Sequence, residues 1–337
     1  MKNTLITLLI FFITTITFSQ NSQTFKPKKQ FYIYGDAVCV GNNILRMHAK
    51  EAFNKVNVVN DEVKMKYVDI DNNTSTFSSS AATLELPKTT KKIVYAALYW
   101  SAIYSYEKGV KKLKGDKIVY RGNHKRVDNF NNILFKTPGE AYQEIKGDIV
   151  FDGFYKPDFE DSAPYVCYAD VTKHFKTNNY NGSYMVANVK ATQGYISGGS
   201  SAGWFLYVVY ESDTKTPKYI NTYDGLVFLN KQVLDVPLTN FETINTGEVK
   251  ASLTIAALEG DSRLKRDQCF ILNPQDNSYL PIYNNQRNAK NFFNSTITDD
   301  DSSFVSRTPN SSNTLGFDLV QINIPNPNNS IISNHAT

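Results

Sequence analysis

From Val249 to Leu258 the apolar residues fall on alternate positions: Val249, Ala251, Leu253, Ile255 and Ala257 share one parity, and Lys250, Ser252 and Thr254 the other. Successive side chains of a strand point to opposite faces, so this segment predicts a strand with one buried and one wet face. Trp204 to Tyr210 is apolar on both parities and predicts a central strand covered by a second sheet. Runs rich in Val, Ile, Tyr, Phe and Thr, punctuated by Gly, Asn and Asp, recur at 31–34, 64–68, 82–86, 93–99, 117–120, 183–190, 226–229, 269–272 and 315–324. Each predicts a strand. Helical signal is confined to one turn at 170–175, with Asp170 as its side-chain cap, and a short second segment, Glu140 to Ile145.

Alternating strand–helix units are absent, and no tandem repeat of roughly 20 to 50 residues is visible. The expected fold is all-β: an antiparallel β-sandwich or jelly-roll-like arrangement, as one large sandwich or two packed together, with very little helix. The sandwich region is expected over 30–337, with residues 21–29 a polar, basic, disordered lead-in. Polar residues at 212–217 mark either a subdomain boundary or one loop within a single sandwich.

Composition then narrows the class. A chain of 337 residues with 41% hydrophobic and 20% charged residues is globular rather than disordered. Lys2 precedes an uncharged, mostly apolar run that closes on Ser19-Gln20, the order of a cleaved signal peptide, expected over 1–20. The run of about 15 residues falls short of the ~20 that a spanning helix needs, so the mature chain is expected to be secreted, without a transmembrane segment. No Cys follows the cleavage point to carry a lipid. A net charge of +4 is too small to argue for nucleic acid. Two basic runs, 26–29 and 108–114, are read as a solvated linker and a solvated hairpin loop, or else as contacts with an anionic surface polymer. Cys39, Cys167 and Cys269 each sit in an apolar, strand-like setting, which is where structural free thiols are found. An oxidising compartment also allows one disulfide with one thiol left over.

Candidate chemistry is sparse. Gly199-Ser200-Ser201-Ala202-Gly203 matches G-x-S-x-G, but a nucleophile elbow leaves a strand and enters a helix, whereas here a loop enters a strand. The only histidine after Ser201 is His335. The glycines are therefore expected to let a loop turn tightly beside a core strand. Glu259-Gly260-Asp261 ends a strand and Asp224-Gly225 lies between two apolar runs; strand-end carboxylates can act as a glycosidase pair, and they are also ordinary turn chemistry. Asp69, Asp71 and Asn73 present oxygens at alternate positions, as a calcium loop does, although Thr74 stands where an EF-hand needs Gly and Ser80 where it needs Glu. Calcium is thus the one cofactor considered, against an Asx turn. Asp299, Asp300 and Asp301 are expected to be solvated. Tyr104, Tyr106, Tyr155, Tyr165, Tyr168, Tyr195, Tyr279 and Tyr283 cluster near predicted loops, where amphipathic rings suit contact with a sugar or a protein.

Several segments together, Ala96-Ala97-Leu98-Tyr99-Trp100, Tyr168-Ala169-Asp170-Val171-Thr172, the Gly198–Trp204 loop, Tyr223-Asp224-Gly225, Ala257–Asp261 and Arg307–Asp318, resemble the N-terminal region of large secreted surface proteins of gliding Bacteroidetes, over about residues 30 to 337. The resemblance implies an adhesin-like role at the cell surface and export by the type IX secretion system, with a glycan or protein as the extracellular partner. It carries over no catalytic residue. The repeats and sorting domain of those proteins have no counterpart here, and the C-terminal ~20 residues are expected to be poorly ordered or aggregation-prone for want of a partner strand. A non-catalytic surface module is the leading expectation, and a carbohydrate-active hydrolase using Glu259 and Asp261 is the alternative.

Overall fold

The strand Ala202–Ser212 is apolar on both parities because a sheet covers each of its faces. In a computed structural model, which describes residues 23–175, 179–229, 233–238, 247–326 and 329, this strand lies inside a six-stranded antiparallel sheet. Its spatial order is Asp148–Asp152, Pro164–Asp170, Thr90–Ile103, Ala202–Ser212, Gln23–Asn43, Pro217–Leu226. Trp204, Leu206, Val208 and Tyr210 point one way, into a core shared with Leu84, Phe135, Tyr184 and Val186 of a five-stranded sheet. Phe205 and Tyr207 point the other way, onto Ile297, Phe317 and Leu319 of a four-stranded sheet. Three β layers thus share the middle sheet, and the fold is nearly all β, with only single 3-10 turns as helix among the described residues. Each large side chain buried in these cores contributes about 1.5–3 kcal/mol. Trp204 and Trp100 also place their indole N–H on Ser80 Oγ (2.8 Å) and the Phe130 carbonyl (3.2 Å), so neither buries an unpaired donor.

The wet-face strand is Ala251–Leu258, at the edge of the four-stranded sheet beside Phe317–Ile324. The Asp170 turn is also present as expected: Asp170 Oδ1 accepts from Thr172 N at 3.0 Å, before a single 3-10 turn at Thr172–His174. The three cysteines are free thiols, with Cys39 and Cys167 buried and Cys269 half-buried. Burial raises the thiol of Cys269 to about 11.

Five expectations are corrected. The lead-in is not disordered from Gln23 onward, because Gln23–Asn43 is one long strand whose first part pairs with Pro217–Leu226. Its lysines sit on a laddered backbone, Lys26 opposite Asp224 and Lys28 ion-paired to Asp224 at 3.0 Å. Glu140 to Ile145 forms no helix; Gln143–Lys146 is a strand that buries Ile145 and pairs with Asn132–Lys136. Asp224 lies inside a strand rather than at a turn, and the 226–229 run ends its strand at Leu226. The C-terminal expectation fails over 318–324, which lie within the buried core strand Phe317–Ile324. Residues 327, 328 and 330–337 lie outside the described residues, as does the expected signal peptide.

The polar 212–217 segment joins two strands that both pair with the first one. Gly35–Asn43 pairs with Ala202–Ser212, and the part before it pairs with Pro217–Leu226.

Candidate functional site

The serine and the acidic pair that the sequence offers as separate motifs meet in space. The strand Ala251–Leu258 ends at Glu259, whose φ of 66° is left-handed, a conformation that turns the chain sharply at a cost for a non-glycine residue. Gly260 follows because a Cβ there would stand 2.1 Å from Asp318 Oδ2. The turn points the Glu259 carboxylate at two internal donors: Ser201 Oγ donates to Oε1 at 2.6 Å and Asn60 Nδ2 to Oε2 at 2.7 Å. Asn60 N donates to Asp261 Oδ1 at 3.3 Å. Gly199 is needed for this contact, since a Cβ there would lie 1.9 Å from Asn60 Oδ1. The glycine loop therefore turns tightly against Asn60 as well as against the core strand.

Electrostatically this knot is unusual. Burial pushes the Glu259 carboxyl up to about 7, against the pull of its bonds to Ser201 and Asn60, and the charges of Asp261 and Asp61 add to the rise. Asp261 is pushed up to about 7 in the same way, by burial first, with Asp61 and Asp318 adding. Below the knot Arg287 and Asp318 form a fully buried ion pair, and Asp318 also accepts the backbone N–H groups of Asn294, Ser295 and Thr296. A serine bonded to a carboxylate that titrates near neutrality has the proton relay of an activated nucleophile. Ser201 is wholly buried, however, so its hydroxyl joins two segments rather than meeting a substrate carbonyl.

Asp69, Asp71 and Asn73 are brought together as a turn. Asp71 Oδ1 accepts from Asn73 N (3.2 Å) and Thr76 Oγ1 (2.9 Å), and its Oδ2 from Tyr142 Oη (2.7 Å). Ser79 Oγ donates to Asp69 Oδ1 at 3.1 Å, and Ser75 N to Asn73 Oδ1 at 3.0 Å. Burial pushes Asp71 up, but the bonds from Tyr142, Asn73, Thr76 and Ser79 together outweigh it and hold its carboxyl below the usual range. Among the described residues no group of three His, Cys, Asp or Glu side chains is arranged to hold a metal ion.

Asp69 also lines an open cleft of about 820 Å³, with Tyr67, Phe77, Glu107, Asn129, Lys190 and Gln193. Tyr67 is locked in place: its hydroxyl donates to the Ala191 carbonyl at 2.8 Å and accepts from Ala191 N at 2.9 Å. Its ring leans on Phe77, with centroids 5.0 Å apart. Phe77, 42% exposed, has its backbone N–H on Asn188 Oδ1 at 2.9 Å. Lys190 Nζ lies 5.3 Å from the Phe77 ring, half-buried, and burial lowers its pKa. The cleft is thus an aromatic platform ringed by carboxylate, amide and ammonium groups. Of these residues only Asp69 carries a motif in the sequence; Phe77, Glu107 and Lys190 lie in three separate segments with no local signature. Among the loop tyrosines, Tyr104 and Tyr165 are core residues, whereas Tyr155 and Tyr283 are exposed.

Among the described residues no helix is long and apolar enough to cross a membrane, which leaves membrane β-barrels untouched. No protein-family model, no curated protein and no solved structure matches this chain.

Proposed function

We propose that the chain is a non-catalytic, secreted cell-surface module of the adhesin kind, which takes an extracellular glycan in the Tyr67/Phe77 cleft. The carrying observation is the exposed Phe77 ring, fixed against Tyr67 and bordered by Asp69, Glu107, Asn129 and Gln193. A sugar ring has an apolar C–H face and a rim of hydroxyls. An immobile aromatic face covers the first, while carboxylate and amide groups bond the second. The resemblance of the 96–100, 168–172 and 307–318 segments to bacterial surface proteins supports the cell-surface part of the reading.

Calorimetry against a panel of oligosaccharides tests it. At least one glycan should bind, and Phe77→Ala should weaken that binding by about tenfold, equivalent to ~1.4 kcal/mol. Binding untouched by Phe77→Ala would remove the cleft from the account.

A second reading, hydrolysis at Glu259 and Asp261, is favoured by one observation: both carboxyls are raised to about 7, where a general acid works best. Against it stands the occupation of both Glu259 oxygens by Ser201 and Asn60. Turnover of any polysaccharide that disappears in Glu259→Gln, with the fold intact, would establish this reading in place of the first.

A further inference from the structure

The basic run 108–114 is not a loop but one arm of a projecting hairpin, Tyr106–Lys114 paired with Lys117–Lys125. From residue 111 to 118 every position is exposed, so the distal half has neither face covered. The register places Lys114 opposite Lys117, Lys112 opposite Val119, Val110 opposite Arg121 and Lys108 opposite Asn123. Directly opposed residues share a face and neighbours along a strand alternate. Lys108, Lys112, Lys114, Lys117 and Arg121 therefore lie on one face, over about 20 Å of strand. None of the five enters an ion pair among the described residues. The other face carries Leu113 opposite Ile118 and Lys111 opposite Tyr120.

We infer that this finger docks a linear anionic polysaccharide, carboxylated or sulfated, along its lysine face. Unpaired like charges held side by side repel one another, and a polyanion relieves that repulsion while each contact alone remains small. A linear polymer bearing one charge per sugar ring matches a row of cations along a strand. A bilayer fits less well: the leading tip is Gly115-Asp116, so inserting the Leu113/Ile118 pair would first submerge a carboxylate. A nucleic acid would want stacking rings among the cations, and Tyr120 lies on the opposite face. The finger roots at the cleft, since Lys108 is the neighbour of cleft-lining Gln193. The inference stands apart from the cleft reading, because it uses none of the cleft residues.

The test is retention of the full chain by polygalacturonate and by dextran sulfate, with neutral dextran, duplex DNA and phosphatidylglycerol vesicles alongside. The wild type should bind one or both acidic polysaccharides and not dextran, and should lose binding as added salt shortens the Debye length below about 10 Å. Lys112→Glu/Lys114→Glu/Lys117→Glu should weaken it by at least about tenfold, whereas Lys55→Glu/Lys88→Glu/Lys265→Glu, with the same net charge, should bind as the wild type does. Phe77→Ala should leave this binding unchanged, which separates the finger from the cleft. Equal loss in both triple variants, no loss in the first, or retention by DNA or vesicles alone would overturn the inference. Unchanged melting of the variants shows that the fold is not the cause, as all six lysines are exposed.

Discussion

Two acidic segments of the same plan, Glu259-Gly260-Asp261 and Asp69-Ile70-Asp71, end in opposite electrostatic states. The first closes a strand of the third sheet, where burial outweighs its hydrogen bonds and both carboxyls rise to about 7. The second lies at a half-exposed turn, where four hydrogen-bonding partners outweigh burial and Asp71 falls below the usual range. Occupation of the oxygens does not by itself separate them, since Glu259, with two partners, and Asp71, with four, both have hydrogen bonds on both oxygens. Solvent does: a carboxylate keeps its charge where water still reaches it, and gives the charge up where several carboxylates share one dry corner.

The largest expected effect tests what holds that dry corner. Arg287 neutralises Asp318, against which the Gly260 backbone rests. Arg287→Ala strands a buried carboxylate beside two others and should cost about 3–5 kcal/mol, read as a shift of the urea midpoint. Arg287→Lys should recover only part of the loss, because one ammonium cannot reach Thr298, Phe292, Asn294, Thr296 and Leu319 as the guanidinium does. A variant as stable as the wild type would show that the 259–261 knot stands without the pair.

Next in size is the pH dependence. Glu259 and Asp261 bind protons more tightly folded than unfolded, so their contribution to stability is full below pH ~4 and is lost as pH rises through about 7. For Glu259 that loss is up to about 3 kcal/mol. Asp71 has the opposite sign: its contribution is present at neutral pH and is lost on acidification through its lowered folded value. Stability measured by denaturant from pH 4 to 8 should therefore fall less steeply in Glu259→Gln than in the wild type. Parallel curves would mean that Glu259 is ionised at neutral pH like an ordinary carboxylate.

The smallest effect belongs to the turn. Asp71→Asn weakens the bond from Tyr142 or Thr76 and should cost about 1 kcal/mol. Chelator should leave the melting temperature of the wild type unchanged, because protein donors already occupy both Asp71 oxygens. A lower melting temperature in chelator would restore calcium to the 69–73 turn.

Much of the β architecture is legible from periodicity alone. The both-faced Ala202–Ser212 strand and the one-faced Ala251–Leu258 strand were readable because a period of two says how many faces a strand buries. The lead-in was not, since Lys26, Lys28 and Lys29 hide a ladder that depends on Pro217–Leu226, nearly two hundred residues away. Glu140 to Ile145 misleads for a similar reason: good local helix formers yield when Ile145 can be buried in a sheet. At the cleft, Asp69 was legible but Phe77, Glu107 and Lys190 were not, because their role lies in being neighbours. The hairpin's charges were visible as a run, while their gathering on one face needed the register.

By itself the sequence determined the class of fold, the covered central strand and the absence of a local elbow at Ser201. Those are properties of short windows, set by side-chain period and turn chemistry. Only the tertiary structure decided that Ser201 and Asn60, 58 and 199 residues from Glu259, close on its carboxylate. Only it decided which aspartates are dry and which lysines stand in a row. Burial and charge coupling depend on distance in space, and the packing of three sheets sets that distance where chain spacing cannot.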